Sequence, residues 1–197
     1  MSLCALVAKT NTYMIRFFDF IFSLIGLLLL SPILLVLLII GYFDTGSSVF
    51  CQERVGKNKK PFNLYKFRSM HVETKSVATH LANYSAVTKY GGFLRKSKLD
   101  ELPQLWNVLL GDMSLVGPRP NLFNQEELIQ ERDSRGVYQV VPGITGLSQI
   151  NKIDMSTPQL LAETDAKMTS NLTVILYFKY IIMTVFGKGS GDRMIQS

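Results

Sequence analysis

The sequence predicts a mainly α-helical, monotopic membrane protein with a re-entrant N-terminal helix and a small cytosolic domain that contains a short β-hairpin. Three observations carry this prediction. Residues 20–43 form an uncharged apolar run, two strand-like segments follow it, and apolar residues recur at helical spacing over residues 99–110. We therefore assign residues 1–45 to the membrane element and residues 46–197 to the cytosolic domain.

The apolar run is long enough to cross a bilayer, because its 24 residues exceed the roughly 20 that a spanning helix needs. Ser31-Pro32 lies at its centre, where proline removes a backbone hydrogen bond. A plain kinked anchor is one interpretation. The other is a helix that breaks at Ser31-Pro32 and returns to the same face. Positive residues mark the cytoplasmic side and favour the second, since they lie on both flanks: Lys9, Arg16, Arg54, Lys57, Lys59 and Lys60.

The strand-like segments are residues 48–55 and 61–68, and the turn-like residues 56–60 between them predict a β-hairpin. Residues 54–72 hold six lysines or arginines and no acid. Some of these cations are expected to be merely solvated or lipid-facing. Lys66 and Arg68 are the better functional candidates, because packing Phe67 inward would turn both cations to one face.

The segment 99–110 carries the acidic pair Asp100-Glu101 just before Pro103. Proline fits only the first turn of a helix, so both acids are predicted at the positive end of this helix. The simplest interpretation is a capping residue and a first-turn acid, each stabilising by about 0.5–1 kcal/mol. Four basic residues and no acid in residues 89–98 favour a chemical role instead.

Arg119 follows the acidic pair and is enclosed by Pro118 and Pro120, which restrict the backbone around it. The planar fork of arginine suits bidentate binding of phosphate. An acidic pair facing a fixed arginine is what chemistry on a phosphate ester needs. The upstream apolar run indicates that this ester meets a lipid.

The composition of the chain indicates which classes of partner it can bind. The formal net charge is +6, but only 18% of the residues are charged. This apolar chain lacks base-stacking and groove-reading motifs, so we expect no nucleic-acid partner. Basic charge beside an apolar run fits attraction to anionic membrane lipids.

Three further segments give weaker signals. Residues 73–90 are expected to form a loop or a short helix. Residues 141–151 contain a Pro-Gly turn and a second glycine, which is more often a structural turn than a phosphate loop. Residues 172–186 are mostly apolar but too short to span a membrane, so they predict a core helix or an interfacial amphipathic helix.

From about Arg16 to Ile150 the chain resembles the bacterial sugar transferases of the monotopic phosphoglycosyl transferase family, which initiate surface-polysaccharide and glycoconjugate synthesis. The resemblance rests on the apolar run with its central Ser31-Pro32 and on three motifs in the family's order. These are QERVGKNKKPFNLYKFRSM, GGFLRKSKLDELPQLWNVLLGDMSLVGPRP and VPGITGLSQIN.

The resemblance implies transfer of a sugar-1-phosphate from a UDP-sugar to undecaprenyl phosphate, with Mg²⁺, at the cytoplasmic face of the bacterial inner membrane. It implies that Asp100 is the nucleophile, that Glu101 supports metal or proton chemistry, and that both acids serve the metal. Arg119 would contact phosphate or uridine. Ser31-Pro32 matches the break in the family's re-entrant helix, and three cations match basic positions near the active site with less defined roles: Lys66, Arg68 and Arg95.

A helix N-terminus among cations is expected to favour the ionised form of the Asp100 nucleophile.

The chain departs from the family pattern in two places. Lys98 stands where serine is frequent in the family. The residues after Ile150 differ from many relatives, so the segment 151–165 is a candidate for sugar or partner selectivity.

Several alternatives stay open. The donor sugar, the pathway and a homodimer are not specified by the sequence. The chain is alternatively a membrane-anchored, non-catalytic assembly subunit, or a glycosyltransferase that releases UDP.

Overall fold

The computed structural model describes residues 3–72 and 86–186 of the chain. This part contains seven α-helices and four short strands. The helices are α1 (Leu3–Thr45), α2 (Lys89–Ser97), α3 (Gln104–Leu110), α4 (Glu126–Ser134), α5 (Leu147–Ile150), α6 (Pro158–Asn171) and α7 (Val174–Val185). The strands are β1 (Val49–Val55), β2 (Pro61–Phe67), β3 (Ser114–Val116) and β4 (Gly143–Thr145), and 3₁₀ turns form at Lys57–Lys59, Leu99–Glu101 and Val137–Gln139.

Helix α1 runs without interruption through Ser31 and Pro32, so the predicted break does not end the helix. Pro32 has no N–H to donate to the carbonyl of Leu28, four residues earlier. The Ser31 hydroxyl donates to that carbonyl instead, at 2.8 Å. This bond satisfies the carbonyl that Pro32 leaves without a donor, and the helix continues past the proline.

Among the described residues, α1 is the one helix long and apolar enough to cross a membrane. Its outer face is apolar and exposed, with Leu29 at 73% and Phe43 at 82% exposure. The opposite face packs on the rest of the chain. Leu37 is buried against Phe67 and Leu94, so part of the apolar run faces protein and not lipid.

Strands β1 and β2 form the predicted antiparallel hairpin, with Val49 opposite Phe67 and Val55 opposite Pro61. The turn between them places Asn58 and Lys59 at positive φ, 54° and 60°. Phe67 points inward as expected and is only 3% exposed.

The predicted helix over residues 99–110 is divided in the structure. Asp100 and Glu101 lie in the 3₁₀ turn Leu99–Glu101, and α3 begins only at Gln104. Pro103 explains the division, because it cannot donate to the Leu99 carbonyl. The Leu102 N–H donates to the Leu99 carbonyl instead, at 3.2 Å, which is the i to i+3 hydrogen bond of a 3₁₀ turn. The acids therefore precede α3. The prediction that they occupy the first turn of this helix is wrong.

The segment 141–151 pairs with a strand that the sequence did not predict. β4 runs parallel to β3, with Ser114 opposite Gly143 and Val116 opposite Thr145. The backbones approach so closely that a Cβ on Gly143 would lie 2.0 Å from the Gly117 nitrogen. The Pro-Gly turn thus packs directly against the turn that follows β3, and the Gly143 N–H donates to the Pro118 carbonyl at 2.8 Å.

Helix α7 matches the core helix predicted for residues 172–186 on one face, while its other face is exposed. Tyr177 is fully buried, while Ile175 is 80% exposed. Phe178 packs edge-on against Phe18 and Phe22 of α1, at centroid distances of 5.0 and 5.9 Å. α7 is therefore an amphipathic helix that joins the first half of α1.

The expectation for residues 73–90 falls largely outside the described residues, since 73–85 are not covered. α2 begins at Lys89, where the Thr88 hydroxyl accepts the Gly91 N–H at 2.8 Å. The same hydroxyl donates to Asp44 at 2.7 Å, which links α2 to the end of α1.

Candidate active site

The acidic pair lies between the end of α2 and the start of α3. Lys98 ends α2 in the left-handed conformation, with φ at 58°, although it is not a glycine. This turn directs the chain into the 3₁₀ turn that carries Asp100 and Glu101. A non-glycine residue at positive φ costs conformational energy, so the surrounding structure determines the position of the acids closely.

Glu101 is the centre of the ion pairs at this site. Its Oε1 accepts from Arg119 Nη2 at 2.8 Å and lies 3.6 Å from Lys66 Nζ. All three side chains are 16–17% exposed. The structure thus joins cations from β2 and from the proline-enclosed turn on one carboxylate.

Asp100 is half-buried and has a raised pKa, which is the opposite of the predicted direction. Burial is the main cause, and it raises the pKa of Asp100 to about 6. Lys66, Arg95 and Arg119 lower the pKa, while the neighbouring charge of Glu101 raises it. Desolvation outweighs the cations, so Asp100 is a stronger base than an ordinary aspartate and is still mostly ionised at neutral pH.

Arg95 and Arg68 differ in their relation to the acids. Arg95 lies near enough to Asp100 to lower its pKa, and its Nε donates to the Ser69 hydroxyl at 2.7 Å. Arg68 follows the last residue of β2. Its Nε donates to the Ser47 carbonyl at 3.1 Å, and its guanidinium lies 5.4 Å from the centre of the Phe50 ring. These contacts tie Arg68 to the start of the hairpin.

Arg119 projects from a turn whose flanking residues, Pro118 and Pro120, are both buried. Proline restricts the backbone on each side, so the guanidinium leaves the turn in a defined direction. A small pocket lies beside it, lined by Arg54, Leu64, Lys66, Gln104, Arg119, Pro120 and Gly143. Three of these residues are cationic, which suits an anionic ligand.

The acidic pair fits the chemistry of a magnesium site. Within the described residues, Asp100 and Glu101 do not belong to a group of three or more His, Cys, Asp or Glu side chains. Mg²⁺ is commonly held by one or two carboxylates and completes its shell with water and substrate phosphates. Two adjacent carboxylates beside phosphate-binding cations are such a donor set.

A family model described as bacterial sugar transferase matches residues 10–189, which include every element described above except the first turns of α1. The chain belongs to the bacterial sugar transferase family. The transferase is 40% identical over 171 residues to an uncharacterized sugar transferase, EpsL, of Bacillus subtilis (strain 168), covering 86% of this chain and 84% of that protein.

Two relatives carry more specific names. The transferase is 42% identical over 183 residues to a UDP-glucose:undecaprenyl-phosphate glucose-1-phosphate transferase of Klebsiella pneumoniae, covering 87% of this chain but 39% of the relative. It is also 45% identical over 117 residues to a putative undecaprenyl-phosphate N-acetylgalactosaminyl 1-phosphate transferase of Bacillus subtilis, covering 57% and 65%. This chain therefore spans well under half of the Klebsiella protein, and the two relatives are named for different sugars.

Some residues around the transferase site had no signal in the sequence. Arg54 was grouped with the solvated cations, yet it is 7% exposed and donates to the Pro120 carbonyl at 3.2 Å. Gln104 lines the pocket and is 3% exposed. A buried ion pair between Arg132 and Asp165 lies behind the Arg119 turn. Nothing local distinguishes Arg54 and Arg132, because Pro120 and Asp165 lie 66 and 33 residues away from them in the chain.

Proposed function

We propose that the chain transfers a sugar-1-phosphate from a UDP-sugar to undecaprenyl phosphate and releases UMP. This would be the first membrane step of polysaccharide or glycoconjugate synthesis. The observation that carries the proposal is the half-buried Asp100, next to a Glu101 that is already paired with Arg119 and Lys66. Family membership and the names of the related transferases support the same reaction.

In the first step, a carboxylate oxygen of Asp100 attacks the phosphorus that carries the sugar. A bond forms between that oxygen and phosphorus, the bridging P–O bond breaks, and UMP leaves with the electron pair. The raised pKa favours this role, because a more basic carboxylate is a better nucleophile while it remains ionised at neutral pH. The product of this step is an aspartyl-phosphosugar enzyme.

In the second step, a phosphate oxygen of undecaprenyl phosphate attacks the same phosphorus. The bond to Asp100 breaks, the carboxylate is regenerated, and the sugar-diphospholipid leaves. Covalent catalysis lets the nucleotide donor and the lipid acceptor use one site in turn. The same cations serve both steps, since each step brings negative phosphate oxygens to Lys66, Arg95 and Arg119.

Asp100 and Glu101 would hold Mg²⁺ together with the phosphates of the donor. When bound, the metal offsets the repulsion between carboxylate and diphosphate and polarises the phosphoryl oxygens. Glu101 also holds Arg119 at 2.8 Å, so it orients the guanidinium toward the place where phosphates bind.

The test of the reaction is to screen UDP-sugars with the purified full-length chain and undecaprenyl phosphate. We expect UMP release for at least one donor. Labelled donor without acceptor is expected to leave label on the protein, and Asp100→Asn is expected to remove the adduct while the fold survives. Release of UDP would identify a glycosyltransferase, and release of neither nucleotide would favour a non-catalytic assembly subunit.

We also propose that α1 is re-entrant, with both ends of the run 20–43 at the cytoplasmic face of the inner membrane. Both parts of α1 contact the same domain. Arg16 Nη2 donates to the Leu109 carbonyl at 2.8 Å, and Asp19 accepts the Leu115 N–H at 2.8 Å. At the other end, Thr88 of the α2 cap donates to Asp44. A straight spanning helix rises about 36 Å over 24 residues and would carry one of these ends across the bilayer.

The topology is tested by labelling a cysteine introduced near residue 9 with an impermeant reagent on intact cells. We expect no labelling of the native sequence. Replacing Ser31 and Pro32 with leucine removes both the proline and the hydroxyl that satisfies the Leu28 carbonyl, so it should favour one straight spanning helix. The N-terminus of that variant should become accessible. Labelling of the native N-terminus would establish an ordinary single-span anchor instead.

A further inference from the structure

The backbone of the Arg119 turn is held at every carbonyl. The four carbonyl oxygens of residues 118–121 each accept a hydrogen bond from a different donor. In order, the donors are the Gly143 N–H at 2.8 Å, Arg132 Nη1 at 2.9 Å, Arg54 Nη1 at 3.2 Å and the Val55 N–H at 2.9 Å. Two of the four donors are buried arginine side chains, and one of these holds the carbonyl of Arg119 itself.

Arg132 is the more deeply buried of the two, at 1% exposure. Its Nε and Nη2 donate to Asp165 Oδ2 at 3.1 and 2.6 Å, and its Nη1 also reaches Asn121 Oδ1 at 2.9 Å. The other oxygen of Asp165 accepts the Ser148 hydroxyl at 2.6 Å. α4, α5 and α6 are therefore joined behind the turn by one polar network.

Burying an ion pair is a weak route to stability, because the loss of hydration offsets much of the attraction. Packed apolar residues would often stabilise a fold as well. An arginine has one property that they lack: its planar fork can hold a carboxylate on one side and a carbonyl on the other. Arg132 uses both sides, with Asp165 on one and the turn on the other.

We propose that Arg132 and Arg54 are positioning residues, which set the direction of the Arg119 guanidinium by holding the carbonyls of Arg119 and Pro120. Asp165 orients Arg132 for this purpose. The proposal rests on the function proposed above, in which Arg119 contacts the phosphates of the donor. Lysine at position 132 could keep the charge beside Asp165 but could not hold Asp165, Asn121 and the turn in one plane.

The experiment is a double-mutant cycle on the full-length chain, with the dissociation constant for UDP as the readout and thermal unfolding measured on each variant. UDP is the part that all UDP-sugar donors share, so the readout does not require a known sugar. Arg119→Ala is expected to weaken UDP binding about ten- to a hundredfold, as for the loss of a charged hydrogen bond. Arg132→Lys and Arg54→Lys are each expected to weaken it about tenfold by misdirecting Arg119.

Coupling distinguishes positioning from a general structural effect. In the Arg119→Ala background, Arg132→Lys and Arg54→Lys should each change UDP binding by less than about twofold, because no guanidinium remains to be directed. Arg135→Lys is the matched control. Arg135 lies at the end of α4 and pairs with Glu163 of α6 at 3.3 Å, and its contacts are with Glu131, Ser134 and Glu163 rather than the turn. It should leave UDP binding unchanged in both backgrounds.

Unchanged UDP binding in folded Arg132→Lys and Arg54→Lys would overturn the proposal, as would losses that persist undiminished in the Arg119→Ala background. If Arg132→Lys lowers the unfolding temperature so far that binding cannot be measured, Arg54→Lys decides alone. If Arg119→Ala binds UDP like the wild type, the donor contact itself is wrong. That result is distinct from a weakened Arg119→Ala without coupling, which would reject only the positioning role.

Discussion

Two carboxylate–guanidinium pairs meet at Arg119, and they differ in almost every physical respect. On one side, its guanidinium pairs with Glu101 at 2.8 Å, in a group whose members are 16–17% exposed. On the other side, its carbonyl is held by Arg132, which pairs with Asp165 at 2.6 Å with both side chains 0–1% exposed.

The difference teaches how one chain uses the same groups for two purposes. In the proposed reaction, incoming phosphates would compete with Glu101 for Arg119 and Lys66, because these side chains are partly exposed. The pair behind the turn has its hydrogen-bonding positions filled by Ser148, Asn121 and the turn. We therefore call Glu101–Arg119 the open pair and Arg132–Asp165 the closed pair. In our proposals, the open pair would exchange partners during the reaction, and the closed pair would hold the Arg119 turn in place.

The largest expected effect is on catalysis, at Asp100 beside the Glu101–Arg119 pair. Asp100→Asn removes the proposed nucleophile but keeps its shape, so we expect UMP release to fall by about a thousandfold or more. Glu101→Gln should also be severely impaired, because a neighbour that points in another direction cannot replace Asp100. Steady-state UMP release measures both variants. Substantial turnover in Asp100→Asn would disprove a double displacement through this residue.

A change in the buried Arg132–Asp165 pair should lower the stability of the fold as well as the activity. Asp165→Asn leaves the buried charge of Arg132 unpaired, which costs about 3–5 kcal/mol. For a chain of this size we expect the unfolding temperature to fall by about 6–20 °C. Glu163→Gln on the same helix is the control, since its pair with Arg135 is partly exposed and worth at most about 1 kcal/mol. Equal unfolding temperatures for the two variants would remove the contrast between the pairs.

Arg119→Lys changes the guanidinium that pairs with Glu101 but leaves the backbone carbonyl that Arg132 holds. It keeps the positive charge, but it loses the planar fork. We expect catalytic efficiency to fall about ten- to a hundredfold, which corresponds to a charged hydrogen bond of roughly 1.5–3 kcal/mol. The unfolding temperature should stay close to that of the wild type. Wild-type kinetics would reduce Arg119 to a structural part of the turn.

The pH profile tests the burial of Asp100. Activity needs the ionised carboxylate, so kcat/KM should be constant above the pKa of about 6 and fall about tenfold for each pH unit below it. Lys66 is the cation that lowers this pKa most. Lys66→Met should therefore move the acid limb of the profile to higher pH. A limb that stays in place would show that another group controls the profile.

The smallest effect is a gain in stability. The raised pKa means that the folded chain holds the Asp100 proton more tightly than the unfolded chain does, so the charge destabilises the fold at neutral pH. Asp100→Asn removes that charge and should raise the unfolding temperature by about 2–4 °C at pH 7.5. The gain should shrink as the pH is lowered to 5, where the folded wild type is largely protonated. A variant that is less stable at every pH would contradict the desolvation of Asp100.

Local pattern was sufficient to predict the hairpin and the inward Phe67, because each depends on neighbours within a few residues. The acidic pair, Lys66, Arg95 and Arg119 could be selected by residue type and by family resemblance. Arg68 could not be placed by alternation alone. It follows the end of β2 by one residue, where strand geometry no longer directs its side chain.

The remaining features depend on tertiary contacts that carry no local signal. Residues 114–116 and 143–145 are too short to show a strand period, and they become strands only by pairing with each other. Arg132 and Asp165 are 33 residues apart and look like ordinary surface charges until folding buries them. The direction of the Asp100 pKa depends on the degree of burial, which the nearby cations in the sequence did not reveal.

The attachment of α1 has a practical consequence for anyone who wishes to handle this protein without detergent. Arg16 binds carbonyls at the end of α3, Asp19 accepts from both Leu115 and Tyr177, and Leu37 fills a core beside Phe67. Cutting the chain after Thr45 would expose those surfaces and leave the α3 carbonyls without their arginine. A soluble fragment or a chimera with a foreign anchor would then need replacement groups at each of these positions. The first helix is an integral part of the catalytic body and cannot be exchanged as a tether.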